Sequence, residues 1–114
     1  MYRGEQSSSS VIKSYAAKEG GYAHSQSLIN NGSLDDLMRA HAFDSKNPAS
    51  PFISATSDPA IARFFAGPNG VVHTLSVPTN RAIFNTFNNY VIPGIGREAE
   101  YLIPNYIRPS EFIR

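Results

Sequence analysis

The stretch "FISATSDPAIARFFAGPNGVVHTLSVP", residues 52 to 78, decides the fold. "FISAT" is short, apolar and β-branched, as a strand requires. "SDPAIARFFAG" then carries the punctuation of a helix. Ser57 or Asp58 is placed to cap it, Pro59 sits in the first turn where a missing N–H costs little, and Gly67 stops it. "GPNG" turns the chain into "GVVHTLSVP", the clearest strand in the sequence.

Outward from this core the two sides differ. Toward the N-terminus, "MYRGEQ" reads as an edge or first strand carrying Arg3. Ser9 or Ser10 in "SSSS" can cap a helix over "VIKSYAAKEGG", in which Val11, Ile12 and Tyr15 fall at helical spacing and Gly20-Gly21 ends the helix. "YAHSQSLINN" reads as irregular. "GSLDDLMRAHAF" reads as a second helix, with Ser33 as N-cap, Asp35 and Asp36 in the positive first turn, and Leu34, Leu37 and Met38 as its apolar stripe. "DSKNPASP" has the composition of a loop. Toward the C-terminus, "RAIFNTFNNYVIPGIG" mixes a short apolar piece with a Gly/Pro/Asn loop, and "REAEYLIP" and "SEFIR" are the last strand candidates. The order is strand, two helices, then mostly strands with one short helix. It predicts an α+β fold. No repeat or linker divides the chain, so residues 1–114 are read as one domain.

The bulk numbers narrow the function classes. The 114 residues suffice for one small core, and 41% hydrophobic content is that of a folded domain. A net charge of +1 gives no strong pull toward nucleic acid or membrane. Cysteine is absent, which excludes disulfides and thiolate metal sites. No apolar run has membrane-spanning length, so no membrane insertion is expected. The abrupt opening "MYRGEQ" suggests a piece of a larger carrier polypeptide.

The chemistry-bearing feature is "GREAEYLIP", residues 96 to 104. Residues i and i+2 of a strand share a face, so Glu98 and Glu100 would repel each other unless a positive group visits between them. Two more pieces sit in or beside predicted strands: Arg3 in "YRG" and Ser54 in "FISAT". In this order, Tyr2-Arg3-Gly4, Phe52-Ile53-Ser54-Ala55-Thr56 and Glu98-Ala99-Glu100 resemble the Arg–Ser–Glu class of mono-ADP-ribosyltransferases. That class includes cholera-like and heat-labile enterotoxin A subunits and bacterial effector toxins. The resemblance spans the whole chain, and it departs from the family at Ala55, where Thr is usual, and at Thr56, where Ser is usual.

The resemblance implies an ADP-ribosyltransferase-like split β-sandwich, two sheets meeting at a cleft, with N-terminal helices. It implies NAD as the cofactor, consumed as a substrate, and no metal. Glu100 would stabilise positive charge developing on the ribose, Glu98 would orient the nucleophile and take its proton, and Ser54 would fix the rotamer of Glu100. Arg3 would hold a cofactor phosphate or ribose, with Tyr2, Thr56 and Phe64 on the cofactor side. Phe65 is a second candidate for stacking near nicotinamide, with core packing expected for at least one of the pair. Tyr90 and Arg97 belong to the loop that corresponds to the family's substrate-recognition turn, with Gly94 and Gly96 giving it freedom.

Other conspicuous residues have plainer readings. His24, His41 and His73 are read as structural or exposed, although some relatives place a cofactor-contacting His near position 41. Asp35-Asp36 serves the helix dipole, "SSSS" is a polar connector with a cap, and Arg97, Arg108 and Arg114 serve solubility.

Glu-x-Glu resembles the arginine-modifying members, so a protein arginine is the expected acceptor. RNA at the same site, or a catalytically inactive binding module, are the alternatives. As a toxin, the domain would be secreted or delivered as an effector, act in the target-cell cytoplasm in interbacterial competition, and have a cognate immunity protein.

Overall fold

Ser14, rather than a residue of the serine run, starts the first helix: its Oγ accepts the Ala17 N–H at 3.1 Å. The computed structural model describes residues 1–7 and 11–113. The caps expected at Ser9 or Ser10, and Arg114, lie outside the described residues. In chain order the elements are β1 (Tyr2–Glu5), β2 (Ile12–Lys13), α1 (Tyr15–Asn31), α2 (Leu34–Phe43), β3 (Phe52–Thr56), α3 (Pro59–Ala66) and β4 (Val71–Leu75). There follow β5 (Ile83–Phe84), β6 (Val91–Ile92), β7 (Gly96–Arg97), β8 (Glu100–Pro104), β9 (Tyr106–Ile107) and β10 (Phe112–Ile113), with 3-10 turns at Thr79–Arg81 and Pro109–Glu111. This is an α+β arrangement of three helices and antiparallel strands.

The first helix differs from expectation at its start. Ile12 pairs with Ile107 in a two-stranded ladder and both are buried, so tertiary pairing of β-branched residues overrides the helical spacing of Val11, Ile12 and Tyr15. The helix that Ser14 caps runs to the non-helical Gly21, as the Gly20-Gly21 stop predicts, and a second helical segment follows it directly. Gly21 takes a φ of 85° and makes a kink, which its missing Cβ permits, and helical structure resumes to Asn31. The stretch "YAHSQSLINN", read as irregular, is therefore helical. Buried Ser25 ties it back through a 3.1 Å hydrogen bond to Ser14.

The other two helices match the expected caps. Ser33 accepts the Asp36 N–H at 3.4 Å, and Asp58 accepts the Ala60 N–H at 2.9 Å with Pro59 behind it.

Six strands form one sheet in the order β10-β4-β1-β3-β8-β5. "MYRGEQ" is thus an inner strand rather than an edge. The two separate sheets expected are not what forms: these six strands make one sheet, and its thinnest ladder is a seam where β1 and β3 pair only at Tyr2↔Thr56. By contrast β1 pairs β4 through four positions, from Tyr2↔Thr74 to Glu5↔Val71. Likewise β3 pairs β8 through five, from Phe52↔Pro104 to Thr56↔Glu100.

Two apolar clusters hold the faces. Ile53, Ala55, Leu75 and Ile103 pack with Ile12 and Ile107 on one side, and Met38, Phe52 and Leu102 pack on the other. Strand alternation therefore puts Ser54 and Glu100 on the face of Phe52, Leu102 and α2. Helix α3 covers β1 closely. A Cβ on Gly4 would collide with the Ala62 carbonyl oxygen, so glycine permits this approach. Among the described residues no helix is long and apolar enough to cross a membrane.

Candidate active site

The seam opens into a cleft of about 320 Å³, within the size range of small-molecule sites. Tyr2, Arg3, Ser54, Thr56, Phe65 and Glu98 are among its lining residues. Arg3 bridges the place where β1 and β3 cease to pair: its Nη1 donates to the Ser54 carbonyl at 2.8 Å and its Nε to Glu5 Oε1 at 3.2 Å. The guanidinium thus replaces a missing ladder bond and keeps further N–H donors beside the cleft. Thr56 is buried at the seam, pairs with both Tyr2 and Glu100, and accepts the Asp58 N–H through its Oγ1 at 3.1 Å.

Behind the lining lies Glu100, only 5% exposed. Ser54 is paired with Leu102, two residues along β8, so Ser54 and Glu100 are diagonal neighbours on one face. Ser54 Oγ donates to Glu100 Oε2 at 2.5 Å, and Asn85 Nδ2 donates to Oε1 at 2.8 Å. His41 Nε2 stands 3.6 Å from Oε2, beyond hydrogen-bond length, and 2.7 Å from Ser54 Oγ. Burial alone would push the Glu100 carboxyl up, but His41, Ser54 and Asn85 together outweigh it and bring the carboxyl down to about 2. Glu100 is therefore ionised at neutral pH.

An ionised carboxylate can only accept, and this fixes the proton order behind it. Ser54 gives its one hydroxyl proton to Glu100, so it accepts from His41 Nε2–H. The other ring nitrogen, Nδ1, meets Ser50 Oγ at 2.6 Å, and Ser50 Oγ also accepts the Phe52 N–H at 3.1 Å. Both ring nitrogens of His41 are thus hydrogen-bonded, Nδ1 to Ser50 Oγ and Nε2 to Ser54 Oγ. His41, expected to be structural or exposed, is a buried member of the carboxylate's support.

Glu98 precedes β8 and is half-buried. Its Oε2 accepts from Asn88 Nδ2 at 3.1 Å, and its backbone N–H donates to Tyr90 at 2.9 Å. Burial, with the charge of Glu100 second, raises its carboxyl above the ordinary 4.5, against smaller lowering by Asn88 and His41. The two carboxylates are thus pushed apart in acidity by their surroundings.

The remaining expected residues fall around this centre. Phe64 does not line the cleft, whereas Phe65 does, because successive helical side chains point about 100° apart. Tyr90 lines a second groove of about 530 Å³ together with Arg39, Phe43, Phe87 and Asn88. Arg39 stacks 4.3 Å from the Phe87 ring centre. Arg97 is exposed and donates to Asn89 Oδ1 beside that groove. Asn88 links the two cavities, since it lines the groove and holds Glu98.

Sequence reasoning passed over Asn85 and Asn88. Asn85 is 1% exposed, donates also to the Met38 carbonyl at 3.2 Å, and accepts the Phe87 N–H at 3.1 Å. The signal was present as the asparagine that ends the apolar piece "AIFN", a polar residue where a short strand should stay apolar. Among the described residues no group of three or more His, Cys, Asp or Glu side chains is placed to hold a metal ion. Neither protein-family models, curated proteins nor solved structures give a match to this chain.

Proposed function

We propose that this domain transfers ADP-ribose from NAD to a macromolecular acceptor, with release of nicotinamide. One observation carries the reading: Arg3, Ser54, Thr56 and Glu98, drawn from distant parts of the chain, line a single cleft, with Glu100 hydrogen-bonded to Ser54 behind it. The seam between β1 and β3 agrees with the split β-sandwich of the Arg–Ser–Glu transferases, which is the fold we propose.

The cleft suits the nicotinamide–ribose half of NAD in size and in charge. The N-glycosidic bond breaks with its electron pair leaving on nicotinamide, and positive charge develops on the ribose. Glu100, ionised and pre-positioned by Ser54, His41 and Asn85, stabilises that charge without having to reorganise. The acceptor nitrogen forms the new bond to the ribose carbon and passes its proton to Glu98, whose raised pKa suits a base. Arg3 turns its spare donors to a phosphate.

A protein arginine is the acceptor we favour. A guanidinium holds its proton tightly and gains most from a partly desolvated carboxylate beside it. The groove bearing Tyr90, with Arg97 at its side, adjoins Glu98 through Asn88 and offers the acceptor its approach. Incubation with labelled NAD and a cell lysate, followed by protease or nuclease, tests this. Label that protease removes supports a protein acceptor, label that nuclease removes identifies nucleic acid, and no transfer or hydrolysis in any lysate refutes the enzyme.

A further inference from the structure

Beside the cleft is a smaller pocket that the transfer chemistry leaves unused. It measures about 140 Å³, room for a phosphate group but not for a nucleoside, and shares Arg3, Glu5, Tyr15 and Ser54 with the cleft. Its own walls add Lys13 and Lys18. Lys18 Nζ stands 4.9 Å and Lys46 Nζ 5.5 Å from the centre of the Tyr15 ring, so the tyrosine is flanked by two ammonium groups. Among the described residues none of these three lysines is ion-paired, whereas Arg3 is paired with Glu5. Lys13 and Lys18 on the wall of one small opening, with Lys46 beside the Tyr15 ring, repel each other, and in a chain of net charge +1 they are not explained by a general basic excess.

We infer that the pocket formed by Lys13, Lys18 and Tyr15 beside Arg3 is a phosphate-binding subsite. The identification of its ligand as the dinucleotide rests on the function proposed above. An anion there relieves the mutual repulsion of the lysines and receives charge-assisted hydrogen bonds from them. With Arg3 and Tyr15 common to both cavities, a ligand whose ribose reaches Glu98 sends its phosphates toward Lys13 and Lys18. Two sources of phosphate fit this chemistry: the pyrophosphate bridge of NAD, or the 2′-phosphate of NADP, whose charge is close to −2 at neutral pH.

Calorimetric titration of the wild type and the Lys13→Ala/Lys18→Ala double variant with pyrophosphate, ADP and nicotinamide riboside decides the matter. Both lysines are exposed, and thermal unfolding of the variant checks that the fold is kept. The expected result is a loss of about 10-fold or more in affinity for pyrophosphate and ADP, diminishing as salt is added, with nicotinamide riboside unaffected. NAD and NADP then separate the sources. A greater loss for NADP assigns the 2′-phosphate, and equal losses assign the bridge. Unchanged affinity for pyrophosphate and ADP, or an equal loss for the phosphate-free riboside, overturns the inference. Lysine-dependent ADP binding without any turnover of NAD would leave the subsite standing and remove the proposed function.

Discussion

Ser54 Oγ donates a 2.5 Å hydrogen bond to Glu100 Oε2 from the neighbouring strand, two residues out of register. Both side chains lie on the face shared with Phe52 and Leu102 because alternate strand residues share a face. The contact joins the serine motif on β3 to the glutamate motif on β8, and it depends on a polar pair continuing a row of core positions. His41 and Asn85 complete its surroundings from α2 and the end of β5.

Glu100→Gln should abolish transfer and NAD hydrolysis together. Loss of the negative charge should lower kcat by about 100- to 1000-fold, the scale seen when one preorganised electrostatic contact is removed. Rate measurements with labelled NAD check this, and a variant retaining wild-type hydrolysis would refute the role given to Glu100.

Glu98→Ala should separate the two reactions. Transfer to the acceptor needs a base, while water can attack slowly without one. Slow hydrolysis with transfer lost is expected, and equal loss of both activities contradicts the division of labour.

His41→Ala should act through Ser54. Leaving the Ser50 and Ser54 hydroxyls without their imidazole should cost about 1–3 kcal/mol of stability. It should also raise the pKa of Glu100, because the imidazole helps hold that carboxyl near 2. NMR titration of the Glu100 carboxyl in the variant checks the second effect, which a purely structural histidine would not produce.

Acid should unfold the domain through Glu100. Its folded carboxyl titrates at about 2, below the ordinary 4.5, so the folded state holds the ionised form more tightly than the unfolded state does. That contribution, about 3 kcal/mol at most, is complete above 4.5 and is lost as pH falls toward about 2. Glu98 has the opposite sign: its carboxyl is raised, so its ionisation burdens the folded state as pH climbs above 4.5. Denaturant unfolding at pH 7 and at pH 3 should show the loss in wild type and a smaller one in Glu100→Gln. Transfer should rise with pH as Glu98 deprotonates, at a value above that of an ordinary glutamate.

Gly4→Ala should loosen α3 over the cleft. The added methyl meets backbone atoms of Ala62 and Ala66 that no side-chain rotation can move. A loss of about 1–3 kcal/mol is expected from thermal unfolding, and an unchanged Tm would contradict the close approach.

Much of this arrangement could be read from local signals. Ser33 and Asp58 cap their helices because capping is decided within one turn of chain, and the "FISAT" and "VVHTL" strands carry their own β-branched pattern. The first helix could not be read the same way. Whether Ile12 joins a helix or a strand is decided by Ile107, far off in sequence, and the segment that follows Gly21 is a second stretch of helix rather than irregular chain. Arg3, Ser54 and Glu98 could be picked out by residue type and order. His41, Asn85 and Asn88 could not, since a buried polar residue is recognised only by the partner that satisfies it. Phe64 and Phe65 illustrate the same limit, because the rotation of α3 about its axis chooses between them.

A crystal structure of the protein soaked with NAD tests the central claim most directly. The proposed function places the nicotinamide-side ribose between Glu98 and Glu100, with a phosphate within hydrogen-bond reach of Arg3. A dinucleotide bound away from this cleft, or none at saturating concentration, would contradict it.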